Sequence, residues 1–137
     1  MSTILMSIKP EYVNKIFNGT KRYEYRKKLC KQRIDKIIVY SSSPIKKIVG
    51  ELIIDSVLYN KKEIVWDETN ISGGISKDKY DNYFKNSEFA VAFKIKKCIR
   101  YNNQKELKDY NINNAPQSYI YINNKGVWFK WMKIKLI

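Results

Sequence analysis

Gly19-Thr20-Lys21-Arg22-Tyr23-Glu24-Tyr25-Arg26 is a segment whose side chains alternate in character from residue 21 onward. The two tyrosines face one way, and Arg22, Glu24 and Arg26 face the other. A period of two residues is typical of a half-buried β-strand. The segment therefore predicts a strand with Glu24 and Arg26 on one face and with Lys21, a mobile cation, at the end that meets a loop.

The flanking sequence predicts further short strands and helices. Residues 4–8 predict a buried strand, and Pro10 suits the start of a helix that buries Val13, Ile16 and Phe17 and ends at Gly19. Further strands are predicted at residues 34–40, 48–58 and 89–99, the last with an inner side made of Phe89, Val91, Phe93 and Ile95. Helices are predicted at residues 61–70 and from the N-cap Ser76 through residue 84, a helical turn at 105–110, and one or two strands at 118–137 with a turn at 123–126.

The composition indicates a globular protein with an anionic partner. A chain of 137 residues, 44% hydrophobic and 14% aromatic, is expected to form a single domain spanning residues 1–137. The net charge of +14 attracts polyanions, of which nucleic-acid backbones are the commonest in a cell. The alternative is that many of the lysines only keep the protein soluble.

Several chemistries are excluded because the chain contains no histidine. Ser-His-Asp and Cys-His catalysis need an imidazole, and the common zinc sites need histidines or four cysteines, whereas this chain has two cysteines. Cys30 and Cys98 stand apart and are expected to be reduced thiols. We expect no cofactor and no metal. With no signal peptide and no apolar run of about 18 residues, we expect a cytoplasmic protein without a membrane segment.

The motif G-x-K-x-x-E-x-R in residues 19–26 resembles the ASCH domains of the PUA-like superfamily. Other stretches resemble small prokaryotic ASCH proteins in the same order along the chain, namely residues 5–12, 66–69, 72–76, 83–84 and 115–119. The resemblance implies an α+β fold, a PUA-like mixed β-barrel of five to seven strands with two or three short helices. It also implies an association with RNA processing, with transcription or translation regulation and, in some members, with hydrolysis of nucleotides or RNA.

The charged residues of the motif form the main candidate site. Glu24 can accept a hydrogen bond from a base amino group, while Lys21 or Arg26 holds a phosphate. The alternative is an exposed row of ion pairs, each contributing at most about 1 kcal/mol.

Five further residues are weaker candidates for the ligand site. Lys9 adjoins the start of the first helix, where backbone N–H groups favour anions. Trp66 is a candidate stacking surface, whereas the helical spacing of the neighbouring aromatic residues indicates core. Ser41, Ser42 and Gln117 lie in predicted loops, where they serve equally well as turn or cap residues.

Two function classes follow from these residues. The first is a domain, with a monomer favoured, that binds RNA or a modified nucleotide. The second is a hydrolase, either a ribonuclease or an amidohydrolase on a modified nucleoside, with Lys21 and Glu24 as an acid–base pair and with or without the assistance of a metal. ASCH-like amidohydrolases acting on acetylated cytidine carry a threonine nucleophile where this chain has Glu24, so the resemblance places a covalent threonine route in doubt. A DNA-reading module is not evident.

Overall fold

The structure is a computed structural model and describes residues 2–122. Its strands and helices follow one another along the chain in the order β1 (Ser2–Ile8), α1 (Pro10–Phe17), β2 (Tyr23–Arg26), β3 (Ile34–Ser41), β4 (Lys47–Lys61), α2 (Lys62–Thr69), α3 (Lys77–Tyr83), β5 (Phe89–Lys105) and β6 (Tyr119–Ile122). Short 3₁₀ turns lie at Asn70–Ser72 and Leu107–Tyr110. The predicted segments within this range are confirmed, with ends shifted by up to six residues. Of the one or two strands predicted at 118–137 the described range includes only β6, and the rest of that segment, with the turn predicted at 123–126, lies outside the described residues.

The strands form one mixed sheet in the order β2-β5-β4-β3-β1-β6. β1 runs parallel to β3, and the other neighbours are antiparallel. The α+β class, the strand number and the helix number agree with the prediction for residues 2–122. The barrel does not agree, because within residues 2–122 the sheet is not closed and β2 and β6 are its edges. β2 is only four residues long and pairs with β5 alone in this part of the chain, so no backbone ladder links it to β1.

Local sequence explains where the helices begin and end. Pro10 occupies the first turn of α1, where its missing N–H is not needed, and Gly19 follows the helix with φ of +87°. Ser76 caps α3, since its Oγ accepts a hydrogen bond from the Lys79 backbone N–H at 3.2 Å. Gly19 thus ends α1, and Ser76 begins α3.

The main core lies between α1 and the central strands. Ile4, Met6, Val39, Leu52 and Phe93 are among its fully buried members, each contributing about 1.5–3 kcal/mol by burial. A second, aromatic cluster lies under α2 and α3 and includes Tyr25, Tyr80, Phe84, Ala90 and Ala92. The sheet is thus covered on both faces near β2 and β5.

One predicted core residue is exposed. Val91, Phe93 and Ile95 are buried as expected, but Phe89 is 37% exposed. It begins β5 beyond the edge of the core and stacks on Tyr59 of β4, with ring centroids 5.4 Å apart. Buried and exposed residues do not alternate strictly in this part of β5, because α2 and α3 also bury Ala90 and Ala92 on its opposite face. No helix in residues 2–122 has the length and apolar character needed to cross a membrane.

Candidate functional site

A cleft of about 820 Å³ lies between β2 and the end of β1. Its walls come from the end of β1, the start of α1, β2, the loop after β3, the inner side of α3 and residues 115–118. Lys21, Glu24 and Arg26 all line it. The structure therefore brings the three charged residues of the motif into one cavity.

Lys21 is fixed at the base of the cleft and is not the mobile cation that the sequence predicted. Only 2% of it is exposed, and its Nζ donates a hydrogen bond to the backbone oxygen of Gly73 at 2.6 Å. The same ammonium lies 5.1 Å from the ring centroid of Tyr12 and 4.8 Å from that of Tyr25. Two ring faces, a carbonyl oxygen and a nearby carboxylate stabilise the buried charge.

Glu24 and Arg26 form a partly buried ion pair beside Lys21. Arg26 Nη2 lies 2.9 Å from Glu24 Oε2, and Glu24 Oε1 lies 3.8 Å from Lys21 Nζ. Arg26 Nη2 also donates to the backbone oxygen of Ser7 on β1 at 2.9 Å. Because Lys21 and Glu24 are almost fully buried, the alternative of an exposed row of ion pairs is wrong.

Burial changes the acid–base properties of the cleft. It lowers the pKa of the Lys21 ammonium; Glu24 opposes this effect, while the positive charges of Arg26 and Lys15 add to it. Burial also raises the pKa of the Tyr12 hydroxyl, and the carboxylates of Glu11 and Glu24 raise it further. The cleft therefore holds a lysine that gives up its proton more readily than a lysine in water.

Two glycines in the loop before α3 hold Lys21 in place. Gly73 supplies the carbonyl oxygen, and a side chain there would collide with the hydroxyl oxygen of Tyr25. Gly74 has φ of +66°, and an added Cβ would lie 2.5 Å from Lys21 Cβ and 2.7 Å from its Cγ. Lys15 of α1 donates to the Gly74 backbone oxygen at 3.2 Å. Sequence analysis found this loop, but nothing in the sequence showed that it packs on Lys21.

The weaker candidates divide into two groups. Lys9, Ser42 and Gln117 line the cleft. Ser41 does not, because it is buried as the last residue of β3. Trp66 also lies outside the cleft and packs against Tyr80, with ring centroids 4.8 Å apart, as expected of a helical residue that faces the aromatic cluster.

Sequence reasoning missed several residues of the cleft. Tyr12, Tyr40, Lys46, Lys79 and Tyr83 line it as well. Tyr12 lies just outside the helical face that was assigned to the core. This position on α1 was the sequence feature that could have indicated a cleft residue. In all, five basic residues and two acidic residues line the cleft, so its charge is positive.

The sequence model of the ASCH domain matches residues 6–99, more than half of the chain. The chain belongs to the ASCH domain family. The crystal structure of ASCH from Zymomonas mobilis has the same fold, with a TM-score of 0.83 and 20% sequence identity over 98% of this chain and 95% of that chain. A point variant of that protein gives a TM-score of 0.84 at 19% identity, over 99% of both chains.

Two curated relatives are similar to this ASCH domain in sequence. An ASCH domain-containing ribonuclease of Zymomonas mobilis is 25% identical over 125 residues, which is 88% of this chain and 84% of the relative. The large ribosomal subunit protein uL22 of Ureaplasma parvum is 31% identical over 121 residues. That match covers 88% of this chain but only 39% of the relative, so this ASCH domain spans about two fifths of the relative's length.

Proposed function

We propose that this ASCH domain binds RNA, or a modified nucleotide, in the cleft beside β2. The observation that carries the proposal is the buried cluster of Lys21, Glu24 and Arg26 at the base of a positively charged cavity. Buried charges are costly to maintain, and they are enriched where a protein binds a ligand or performs chemistry. A volume of about 820 Å³ falls within the range of small-molecule sites and suits a nucleotide.

The base of the cleft supplies both donors and acceptors. The Lys21 ammonium carries three N–H groups, of which Gly73 takes one. Glu24 Oε1 lies 3.8 Å from that ammonium, beyond hydrogen-bond distance, and can accept from a base amino group. The Tyr12 ring beside Lys21 offers a face for stacking. These groups match the polar edge and the flat face of a nucleobase.

The mouth of the cleft supplies cations for phosphate. Lys9 and Lys46 are exposed and line the cavity, and no ion pair is found for either within residues 2–122. Lys79 also lines it, with its Nζ 3.6 Å from Glu11 in an exposed pair that contributes little. Nucleotide phosphates are therefore expected at the mouth and the base at the closed end.

Hydrolysis is the second candidate function, and two observations favour it. Burial lowers the pKa of Lys21, and its ammonium lies 3.8 Å from a carboxylate oxygen, so the pair can exchange protons with a bound substrate. The 25% identical relative from Zymomonas mobilis is named a ribonuclease. In this hypothesis Glu24 acts as the base on the attacking water or hydroxyl, and Lys21 stabilises the developing anion or protonates the leaving oxygen.

Charge-neutralising variants test both candidates. Lys21→Gln and Glu24→Gln are each expected to weaken binding of a short single-stranded RNA at least tenfold in fluorescence anisotropy. Lys61→Gln changes an exposed lysine outside the cleft and is the matched control. Unchanged affinity in both cleft variants, with their folds intact by circular dichroism, would refute the binding proposal.

The same proteins test hydrolysis. Wild type is incubated with RNA and with modified nucleosides, with and without divalent metal, and the products are separated by chromatography. Product formation by wild type that both cleft variants lose supports the hydrolase. Absence of product at high protein concentration, with RNA binding retained, leaves the binding function alone.

A further inference from the structure

A second basic surface adjoins the cleft on the side of α1. It comprises three exposed cations: Arg22, Lys96, which follows the Arg22 contact residue Ile95 in β5, and Arg100, which lies against Phe17 of α1; we call it the α1–β5 face. The two chain segments that form it, residues 14–22 and 95–105, contain no Asp or Glu. Within residues 2–122 no carboxylate lies within ion-pair distance of the three side chains. Their charges are therefore available to an external anion.

Specific contacts hold this face together. Arg22 Nη2 donates to the backbone oxygen of Ile95 at 3.4 Å, and the Arg100 guanidinium lies 4.5 Å from the ring centroid of Phe17. A stacked guanidinium keeps its N–H groups around its rim free to bind phosphate. Arg22 and Arg100 are both exposed although each has a fixed contact. The face is thus preorganised, unlike a set of freely rotating lysines.

The α1–β5 face is continuous with the cleft. Arg22 directly follows Lys21, and its backbone N–H donates to the Ser72 oxygen at 2.7 Å in the loop that holds Lys21. Lys15 of α1 lies beside this junction: its backbone oxygen accepts from the Lys21 N–H at 2.9 Å, and its Nζ lies 5.9 Å from the ring centroid of the cleft residue Tyr12. From Ile95 to Arg100 the strand extends roughly 16 Å at about 3.3 Å per residue. That length suits a polymer, not a single nucleotide.

We propose that the partner is a single-stranded RNA that enters the cleft with one nucleotide and continues over α1 onto the α1–β5 face. This inference rests on the proposed function and narrows its ligand from a nucleotide to a strand. The cleft contacts the base of one residue. The α1–β5 face contacts the backbone phosphates of neighbouring residues, and backbone contacts position a strand without reading its sequence.

A two-probe binding experiment tests the inference. The triple variant Arg22→Gln, Lys96→Gln, Arg100→Gln is titrated against a 5′-mononucleotide by calorimetry and against a single-stranded RNA of about 12 nucleotides by anisotropy. We expect at least a tenfold loss of affinity for the RNA and an unchanged affinity for the mononucleotide. The salt dependence should also fall, with a log–log slope smaller by about 2, from about 0.7 per lost phosphate contact.

The control has the same change in net charge at other places. The triple variant Lys31→Gln, Lys61→Gln, Lys85→Gln removes three exposed lysines outside both regions and is expected to change RNA affinity less than threefold. Equal losses in the two triple variants would reduce the effect to the overall field of the protein and overturn the inference. Unfolding curves of all variants exclude misfolding, and Arg100→Lys provides a milder variant that keeps the charge.

The inference and the proposed function fail in different ways. If Lys21→Gln weakens both probes but the Arg22/Lys96/Arg100 variant weakens neither, the cleft binds nucleotides and the α1–β5 face has no role. If Lys21→Gln changes neither probe, the proposed function itself is refuted. Binding to anionic phospholipid vesicles that is lost in the Arg22/Lys96/Arg100 variant, without loss of RNA binding, would assign the face to a membrane surface and overturn the inference.

Discussion

Gly74 and Gly19 provide a matched pair of substitutions that isolates the support of Lys21. Both glycines have positive φ, +66° and +87°, so an alanine at either position incurs the left-handed backbone cost of about 1–2 kcal/mol. At Gly19 nothing lies within 4 Å of an added Cβ. At Gly74 the new methyl would lie 2.5, 2.7 and 3.1 Å from Cβ, Cγ and Cδ of Lys21. These are the near atoms of the side chain, so rotating its far end does not relieve the clash.

Overpacking of this kind typically costs about 1–3 kcal/mol. We therefore expect Gly19→Ala to lower the free energy of unfolding by about 1–2 kcal/mol and Gly74→Ala to lower it by about 1–3 kcal/mol more. The backbone cost cancels between the two variants. The difference between them measures how rigidly the loop and Lys21 are packed.

The same pair separates stability from function. In Gly74→Ala the Lys21 ammonium is displaced from the Gly73 oxygen and from Glu24, so RNA affinity should fall at least tenfold. Gly19→Ala should bind as wild type at a temperature where it is folded. Urea unfolding gives the free energies, and anisotropy gives the affinities. Equal destabilisation of the two variants, together with unchanged RNA binding by Gly74→Ala, would refute the view that this loop positions Lys21.

Three other predictions follow from strained or shifted groups in the cleft. Lys46 has φ of +55° and lines the cleft. Lys46→Gly should therefore leave the free energy of unfolding unchanged or raise it by about 1 kcal/mol, and it should weaken RNA binding. A Lys46→Gly protein that is less stable, or that binds RNA as tightly as wild type, contradicts this. The pKa of Lys21 lies below its ordinary value of 10.5, so the charge of Lys21 and the affinity for RNA should both fall as pH rises through that lowered pKa. Lys21→Arg should retain its affinity for RNA to higher pH, because a guanidinium stays protonated. In the pH window just below 10.5 the folded state binds fewer protons at Lys21 than the unfolded chain does, so Lys21 makes the free energy of unfolding rise with pH there. Lys21→Met should remove this contribution, and urea unfolding at a series of pH values measures it.

Local pattern was sufficient for the strands and for two of the three site charges. The two-residue period placed Glu24 and Arg26 on one face, and the structure pairs them at 2.9 Å. The direction of Lys21 was not available from the same pattern. It precedes β2, and its position is fixed by Gly73, which lies 52 residues later in the chain. A contact between distant segments leaves no periodic signal in either of them.

The aromatic residues show the same limit from the other side. Trp66 was selected as a stacking surface and Tyr12 was not, yet Tyr12 lines the cleft and Trp66 packs in the aromatic cluster. Both lie on short helices, in which neighbouring side chains point in directions about 100° apart. Which face meets a cavity depends on where α1 and α2 lie relative to β2, and that is a property of the tertiary fold.

The open edge of the sheet and the cleft are two aspects of the same arrangement. Closure of the predicted barrel would require backbone pairing between β2 and β6, the two edge strands of the sheet in residues 2–122, with strands about 4.8 Å apart. Instead the Arg26 side chain of β2 reaches β1, donating to the Ser7 oxygen while it pairs with Glu24. Both residues of this pair and Ser7 line the cleft of about 820 Å³. In residues 2–122 this side-chain contact, and not a strand ladder, joins β2 to β1, so charged groups and not paired backbone line this side of the cleft.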